Sequence, residues 1–263
     1  MIENINKFRH KKKILSFFIG FLSFVIVFSL TYFEFFQNFE NKTYDYRLRF
    51  RKERNISEKV VIVFICKRTT KHLGWPLPRE YYGVLFQCFK EFGAKTVGID
   101  VHFGESNYDD NDQILVDETQ AAGNVFAPMY FYLSRDEFLR NSIRSEEPIA
   151  LNETENSGSV YYGNETGLHQ AVNVELPFKK FQHACKGLGH VNVNPDADGI
   201  TRRIPALIEY DGYVYPSLSF AMAYDYLGIK PENISFEIGK EITINQPGGQ
   251  KFHIPINNRG EML

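Results

Sequence analysis

A run of twenty residues near the N-terminus, residues 14–33, contains no charged side chain. Fourteen of the twenty are Ile, Leu, Phe or Val. As an α-helix, a segment of this length spans about 30 Å, which matches the hydrocarbon core of a bilayer. No small-residue cleavage site follows the run, so we expect an uncleaved membrane anchor rather than a signal peptide.

The charges that flank this run predict its orientation. Only Lys42 and Arg47 are basic within the fifteen residues after it, whereas five basic residues lie just before it: Lys7, Arg9, Lys11, Lys12 and Lys13. Cytoplasmic flanks of membrane helices are enriched in Lys and Arg. A window of twenty residues makes the two counts equal, so the orientation depends on the residues closest to the run.

These features predict four regions in order. Residues 1–13 form a basic cytoplasmic tail, residues 14–33 a transmembrane helix, residues 34–58 a helical stalk, and residues 59–263 a sensor domain outside the cytoplasm. We expect the anchor to lie in the bilayer of the cell (inner) membrane, and two chains to form a homodimer through their stalks and membrane helices.

Charge and cysteine content exclude several classes of function. The formal net charge of −2 and a pI near 6.4 show no basic excess, so we expect no nucleic-acid partner. The three cysteines have no CxxC spacing and predict neither a zinc site nor a disulfide framework. No nucleotide-binding, hydrolase or metalloprotease motif is present, and we expect no cofactor, no metal and no catalytic residue.

The pattern after the anchor predicts an α/β fold. The run VVIVFI at residues 60–65 is apolar at every position, as in a strand that is covered on both faces. A helical repeat follows and ends at Gly93, and TVGIDV at residues 96–101 predicts a second, parallel strand. Later segments predict further strands and hairpins. We therefore expect a mixed, partly parallel sheet with helices on both faces, preceded by one N-terminal transmembrane helix.

The candidate site follows from this topology, because ligands of parallel sheets bind beyond the carboxyl ends of the strands. The residues that we predict to bind a ligand there are Trp75, Arg79, Asp100, His102 and Glu105. A cation at Arg79, in the first turn of a helix, opposes the helix dipole unless an anion lies nearby. Asp100 or Glu105 is the expected anion, and a ligand or Glu80 is the alternative.

Two acidic motifs allow a second interpretation. Together with Asp109, the cluster of Asp100, His102 and Glu105 has the side chains of a cation site or of an acid–base site, but no second cluster supplies a nucleophile. The motif NPDADG fits the first half of a calcium loop, yet its twelfth position is Pro205 rather than Glu. We predict a tight turn for this motif.

Taken in order, five segments resemble the type 2 CHASE domain, the cyclase and histidine kinase associated sensory extracellular domain of bacterial receptors. The segments are ENKTYDYRLRFR, VVIVFI with GWPLPRE, FGAKTVGIDVHF, GHVNVNPDADGITRRIP and YPSLSFAMA. The resemblance covers about residues 40–260 and implies a domain outside the membrane, followed by further membrane helices and a cytoplasmic cyclase or kinase. Members usually carry an aspartate where Cys66 stands, often with an acidic residue at the position of Lys67. The resemblance also implies that the domain continues past Leu263.

The resulting functional hypothesis is a non-catalytic sensor that relays an unknown extracellular signal to an adenylate or guanylate cyclase, a histidine kinase or a Ser/Thr kinase. One alternative is a membrane-anchored enzyme of the cell envelope that uses Asp100, His102 and Glu105. Another is a structural envelope protein that meets its partner through exposed aromatic side chains.

Overall fold

The computed structural model describes residues 2–32, 37–52, 57–106, 110–133, 160–161, 167–196, 198–246 and 248–262. The chain divides into two compact units, Met1–Phe64 and Ile65–Leu263.

The first unit contains two helices, α1 (Ile2–Tyr32) and α2 (Gln37–Arg49). The predicted membrane span lies in α1 up to residue 32, and residues 33–36 fall outside the described residues. Side chains of α1 are described for residues 15–30, and most of them are exposed. Within the described residues, no helix combines the length and the hydropathy that a membrane crossing needs. The span therefore stays a prediction.

The strand predicted at residues 60–65 is wrong, because none of these residues has regular secondary structure. The exposed fractions of residues 60–64 range from 59% for Val63 to 81% for Val61. An apolar run forms a strand only where neighbouring backbones accept its hydrogen bonds, and the described residues of this unit contain no strand. Ile65, which belongs to the second unit, is half-buried against the core of that unit.

The second unit alternates helices and strands along the chain. Its elements are α3 (Lys67–Leu73), α4 (Arg79–Glu91), β1 (Val97–Gly98), α5 (Asp110–Ala122), β2 (Val125–Leu133), β3 (Val160–Tyr161), β4 (His169–Glu175), α6 (Lys179–Ala184), β5 (Gly187–His190), β6 (Ile204–Pro205), β7 (Leu207–Tyr210), β8 (Tyr213–Pro216), α7 (Leu218–Tyr226), a short 3-10 helix (Pro231–Asn233), β9 (Ile234–Glu237), β10 (Glu241–Asn245), β11 (Lys251–Pro255) and β12 (Glu261–Met262).

The main sheet is mixed, as predicted. Among the described residues it has seven strands, in the order β1-β2-β4-β7-β8-β3, and β5 also pairs with β2. The pairs β1/β2, β2/β5 and β4/β7 are parallel, and the other pairs are antiparallel. Strands β9, β10 and β11 form a separate antiparallel sheet, and β6 pairs with β12.

Two hydrophobic clusters pack against the main sheet. Side chains from α4, α5 and α6 contribute to the first cluster, together with Val125, Ala127, Met129 and Phe131 of β2. Phe126 of β2 belongs to the second cluster, to which α7 contributes. Because successive residues of a strand point to opposite faces, the two clusters place helices on both sides of β2.

The start of α7 lies directly on the backbone of β5. A Cβ atom at Gly189 would lie 2.4 Å from the Cα atom of Leu218, so only glycine fits there. Ser217 begins the helix, and its side-chain oxygen accepts a hydrogen bond of 3.3 Å from the N–H of Phe220. The close approach brings the end of β5 next to the loop that leads into α7.

The turn predicted for the NPDADG motif is confirmed by its described residues, which leave out Ala197. The N–H of Gly199 donates to the carbonyl of Asp196 at 2.8 Å, and Gly199 has a φ of +79°. The buried guanidinium of Arg202 binds the carboxylates of Asp196 and Asp198, each at 2.8 Å. Hydrogen bonding to Arg202 lowers the pKa of Asp198 to about 2. Both aspartates of the motif are therefore paired with Arg202.

Candidate ligand-binding site

A cleft of about 220 Å³ opens where the parallel strands of the second unit end. Asp100 and His102 follow β1, and Val191 follows β5. The described residues that line it are Asp100, His102, Pro128, Met129, Tyr130, Glu175 and Val191. Because β1, β2 and β5 are parallel, their carboxyl ends lie at one edge of the sheet, which is the usual position of a ligand site in such folds.

A short polar chain forms one wall of the cleft. The Nε2 atom of His102 lies 3.0 Å from one carboxylate oxygen of Glu175. The hydroxyl of Tyr132 donates to the other oxygen at 2.7 Å. Strand pairing sets this arrangement, since Glu175 lies opposite Tyr130 in the β2/β4 ladder.

Gly104, in the loop after β1, lies close to the imidazole of His102. A Cβ atom at Gly104 would lie 3.1 Å from the Nε2 atom of His102. A larger residue at position 104 would therefore push against the imidazole. Asp100, on the same loop, is exposed and makes no hydrogen bond or ion pair with any described residue.

The guanidinium of Arg79 pairs with the carboxylate of Asp112, not with that of Asp100 or Glu105 as predicted. Its Nη1 atom lies 2.5 Å from a carboxylate oxygen of Asp112, and its Nη2 atom donates to the backbone carbonyl of Glu105 at 2.7 Å. The guanidinium carbon lies 5.4 Å from the ring centre of Phe103 and 5.2 Å from that of Phe178. The anion expected near the start of α4 is thus Asp112 of α5, which lies 33 residues after Arg79 in the sequence.

The other predicted residues have different positions. Glu105 contributes its backbone carbonyl to Arg79. Trp75 is 66% exposed, and it is not among the described residues that line the cleft. Leu77, two positions later, is buried in the core and anchors this corner of the chain instead. The structure therefore brings Asp100 and His102 together and leaves Trp75, Arg79 and the side chain of Glu105 outside the lining.

Sequence reasoning missed Glu175 and the two tyrosines of β2. Glu175 ends a strand of alternating residues, HQAVNVE, and such a position is polar in many strands. Only the antiparallel pairing of β2 with β4 brings it to His102. Among the described residues, no group of three or more His, Cys, Asp or Glu side chains is arranged to hold a metal ion.

Cys66 stands at the N-cap of α3, and its thiol is exposed. Hydrogen bonding from the backbone and the side chain of Thr69 lowers the pKa of this thiol. A thiol with a lowered pKa carries more thiolate at neutral pH and reacts faster with electrophiles. Cys185, in contrast, is buried, and burial raises the pKa of its thiol.

His190, at the end of β5, is fully buried beside the cleft residue Val191. Neither ring nitrogen has a hydrogen-bond partner within the described part of the chain. The ring meets that of Phe131 edge to face at 6.1 Å. Burial lowers the pKa of His190 to about 3, with a smaller contribution from charge repulsion by His169. His190 is therefore neutral in the folded protein at physiological pH.

Comparison with known proteins identifies a family. The sequence model of the CHASE2 domain matches residues 20–263, which confirms the resemblance found in the sequence motifs. Searches of the curated proteins and of the solved structures found no match.

Replacement of Arg79 by alanine is expected to destabilise the second unit. The substitution leaves the buried carboxylate of Asp112 without its cation, which costs about 3 kcal/mol of unfolding free energy. Arg79→Lys keeps the positive charge but cannot bind both Asp112 and the carbonyl of Glu105, so we expect a smaller loss of unfolding free energy than for Arg79→Ala. Chemical unfolding followed by circular dichroism measures both variants. An unchanged unfolding midpoint for Arg79→Ala would show that the ion pair contributes nothing.

Acid is expected to destabilise the fold through His190. The pKa in the folded state, about 3, lies below the unfolded value near 6.5. As the pH decreases, His190 therefore takes up a proton in the unfolded chain before it does so in the folded protein. Its contribution to the unfolding free energy is fully present above pH 6.5 and is lost as the pH falls toward 3. The expected loss near pH 5 is about 2 kcal/mol.

The matched control for this effect is His190→Leu, which fills the same buried site without a titrating group. Unfolding free energies of both proteins are measured between pH 7 and pH 5, above the range in which carboxylates titrate. We expect the variant to show the flatter profile. Parallel profiles would rule out His190 as the origin of the acid sensitivity.

Proposed function

We propose that this chain, which belongs to the CHASE2 domain family, is the extracytoplasmic input region of a membrane receptor. CHASE2 domains are sensory extracellular domains of receptors. The observation in this chain that best supports a sensory role is the cleft at the strand ends, which joins polar side chains to apolar walls. The signal molecule binds there without being transformed.

The loop after β1 is the element that relays binding. It carries Asp100 and His102 at the cleft, and its next residues are bound to two helices. The carbonyl of Glu105 accepts from Arg79 at the start of α4, and the hydroxyl of Ser106 donates to Asp112 of α5 at 2.7 Å. A ligand acts as a signal only if it binds two states of a protein differently. A ligand that moves this loop changes how α4 and α5 are held.

The receptor continues past the residues of this chain in our proposal. Residues 14–33 anchor it in the membrane with the N-terminus in the cytoplasm, and a cyclase or kinase that follows in the sequence produces the output. Two chains associate through α1 and α2. Support for this association comes from an aromatic stripe formed by Phe39 and Tyr46 of α2 and by Phe50, which directly follows the helix; these side chains are 67%, 61% and 79% exposed.

The orientation of the chain is tested by labelling Cys66 in intact bacterial cells with a maleimide that does not cross the inner membrane. We expect rapid labelling, because the thiol is exposed and its pKa is lowered. Cys66→Ser should remove the signal. A cysteine introduced as Lys12→Cys in that background should react only after lysis. Labelling of Cys66 only in lysed cells would contradict the proposed function.

Association through α2 is tested by disulfide cross-linking in the Cys66→Ser background. Phe39→Cys, on the aromatic stripe, is expected to give a covalent dimer on mild oxidation. Leu48→Cys, which is exposed on the opposite face of the same helix, is the matched control and should remain monomeric. Equal cross-linking of the two variants, or none in either, would contradict association through this stripe.

A further inference from the structure

The lining of the cleft is acidic. Its described residues include the carboxylates of Asp100 and Glu175 and no lysine or arginine, so the formal charge of this described lining is −2 with histidine counted as neutral. Other aspartates of this unit are paired with cations: Asp112 with Arg79, Asp225 with Lys186 and Asp196 with Arg202. Asp100 has no such partner among the described residues. Its carboxylate is therefore the group that a positively charged ligand would complement.

An aromatic ring stands on the same wall. Tyr130 is 43% exposed and lines the cleft. Tyr132 holds this ring edge to face, with 5.5 Å between the ring centres, and is itself bonded to Glu175. A carboxylate beside an exposed tyrosine ring attracts an ammonium group through charge and through the π electrons of the ring.

Size and apolar surface restrict the ligand further. The volume of about 220 Å³ lies below the range of roughly 300–1,000 Å³ that is usual for sites of drug-sized ligands. Pro128, Met129 and Val191 supply apolar walls. The cleft thus suits a compact molecule with apolar groups around its charge.

The side chains favour an organic cation over a metal ion. Both carboxylate oxygens of Glu175 are already engaged, one by His102 and one by Tyr132. A metal ion needs several ligand atoms at once, and no group of three potential ligands occurs within the described residues. An ammonium group needs only one free carboxylate and an aromatic face.

We infer that the cleft binds a small organic ammonium ion, with the carboxylate of Asp100 and the ring of Tyr130 as its recognition groups. The ligand class assigned in this way rests on the proposed sensory function. Glu175, fixed by His102 and Tyr132, supplies the second negative charge and positions the wall on which Tyr130 lies.

The test is a calorimetric titration of the purified full chain in lipid nanodiscs. The probes are choline, tetramethylammonium and ethylammonium, together with 3,3-dimethylbutan-1-ol, the uncharged isostere of choline. We expect at least one ammonium probe to bind at millimolar concentration or below, and choline to bind about tenfold or more tightly than its neutral isostere.

Two variants make the result specific to the cleft. Asp100→Asn keeps the shape of the side chain and removes its charge, and we expect it to weaken binding about tenfold or more. Asp117→Asn, on the exposed side of α5, is the matched control and should leave the affinity unchanged. Because Asp100 bonds to no described residue, Asp100→Asn should melt at the wild-type temperature. Tyr130→Leu is a second variant of the cleft, and we expect it to weaken binding independently.

Several results would overturn the assignment. Equal binding of choline and its neutral isostere would mean that the cleft selects apolar shape. Binding of divalent metal ions alone would make it a metal site, and binding of no ammonium probe would reject the ligand class. None of these results affects the labelling of Cys66, so a failure of the ligand assignment is distinguishable from a failure of the proposed function.

Discussion

The buried strand β2 is the constraint on which the rest of the second unit depends. A largely buried strand must satisfy its backbone hydrogen bonds through neighbours, and β2 does so by pairing with β1, β4 and β5. Beyond the end of β5, the side-chain amide of Asn192 satisfies the backbone of β2. It accepts from the N–H of Phe131 at 2.9 Å and donates to the carbonyl of Phe131 at 2.7 Å. The same strand then carries Met129 and Tyr130 into the cleft.

Arg79 connects this sheet edge to the helices around it. Its guanidinium lies between two aromatic rings, binds a carboxylate of α5 and holds the backbone of the loop that leaves the cleft. Loss of either partner would leave a buried charge uncompensated, which is costly in a protein interior. The geometry of the cleft therefore depends on a residue that does not line it. Stability and the proposed relay of a signal depend on the same contacts.

Elements with strong local signals were predictable. The helix from Arg79 to Glu91 follows from its helical repeat, and the turns at Gly199 and at Asp211 and Gly212 follow from residues that accept a positive φ. The failure of the strand prediction at residues 60–65 has an equally clear origin. An apolar run predicts burial. Its sequence does not show whether a neighbouring strand is present to pair with it.

The sequence by itself determined the family, the mixed α/β class and the collection of polar residues after the first parallel strand, because these properties depend on local pattern and motif order. Only the tertiary structure decided that Arg79 belongs to Asp112, that Glu175 joins His102 and Tyr132, and that Asp100 has no partner among the described residues. Each of these pairings joins residues that are far apart in sequence. Strand register and helix packing bring such residues together, and neither can be read from the local spacing of side chains.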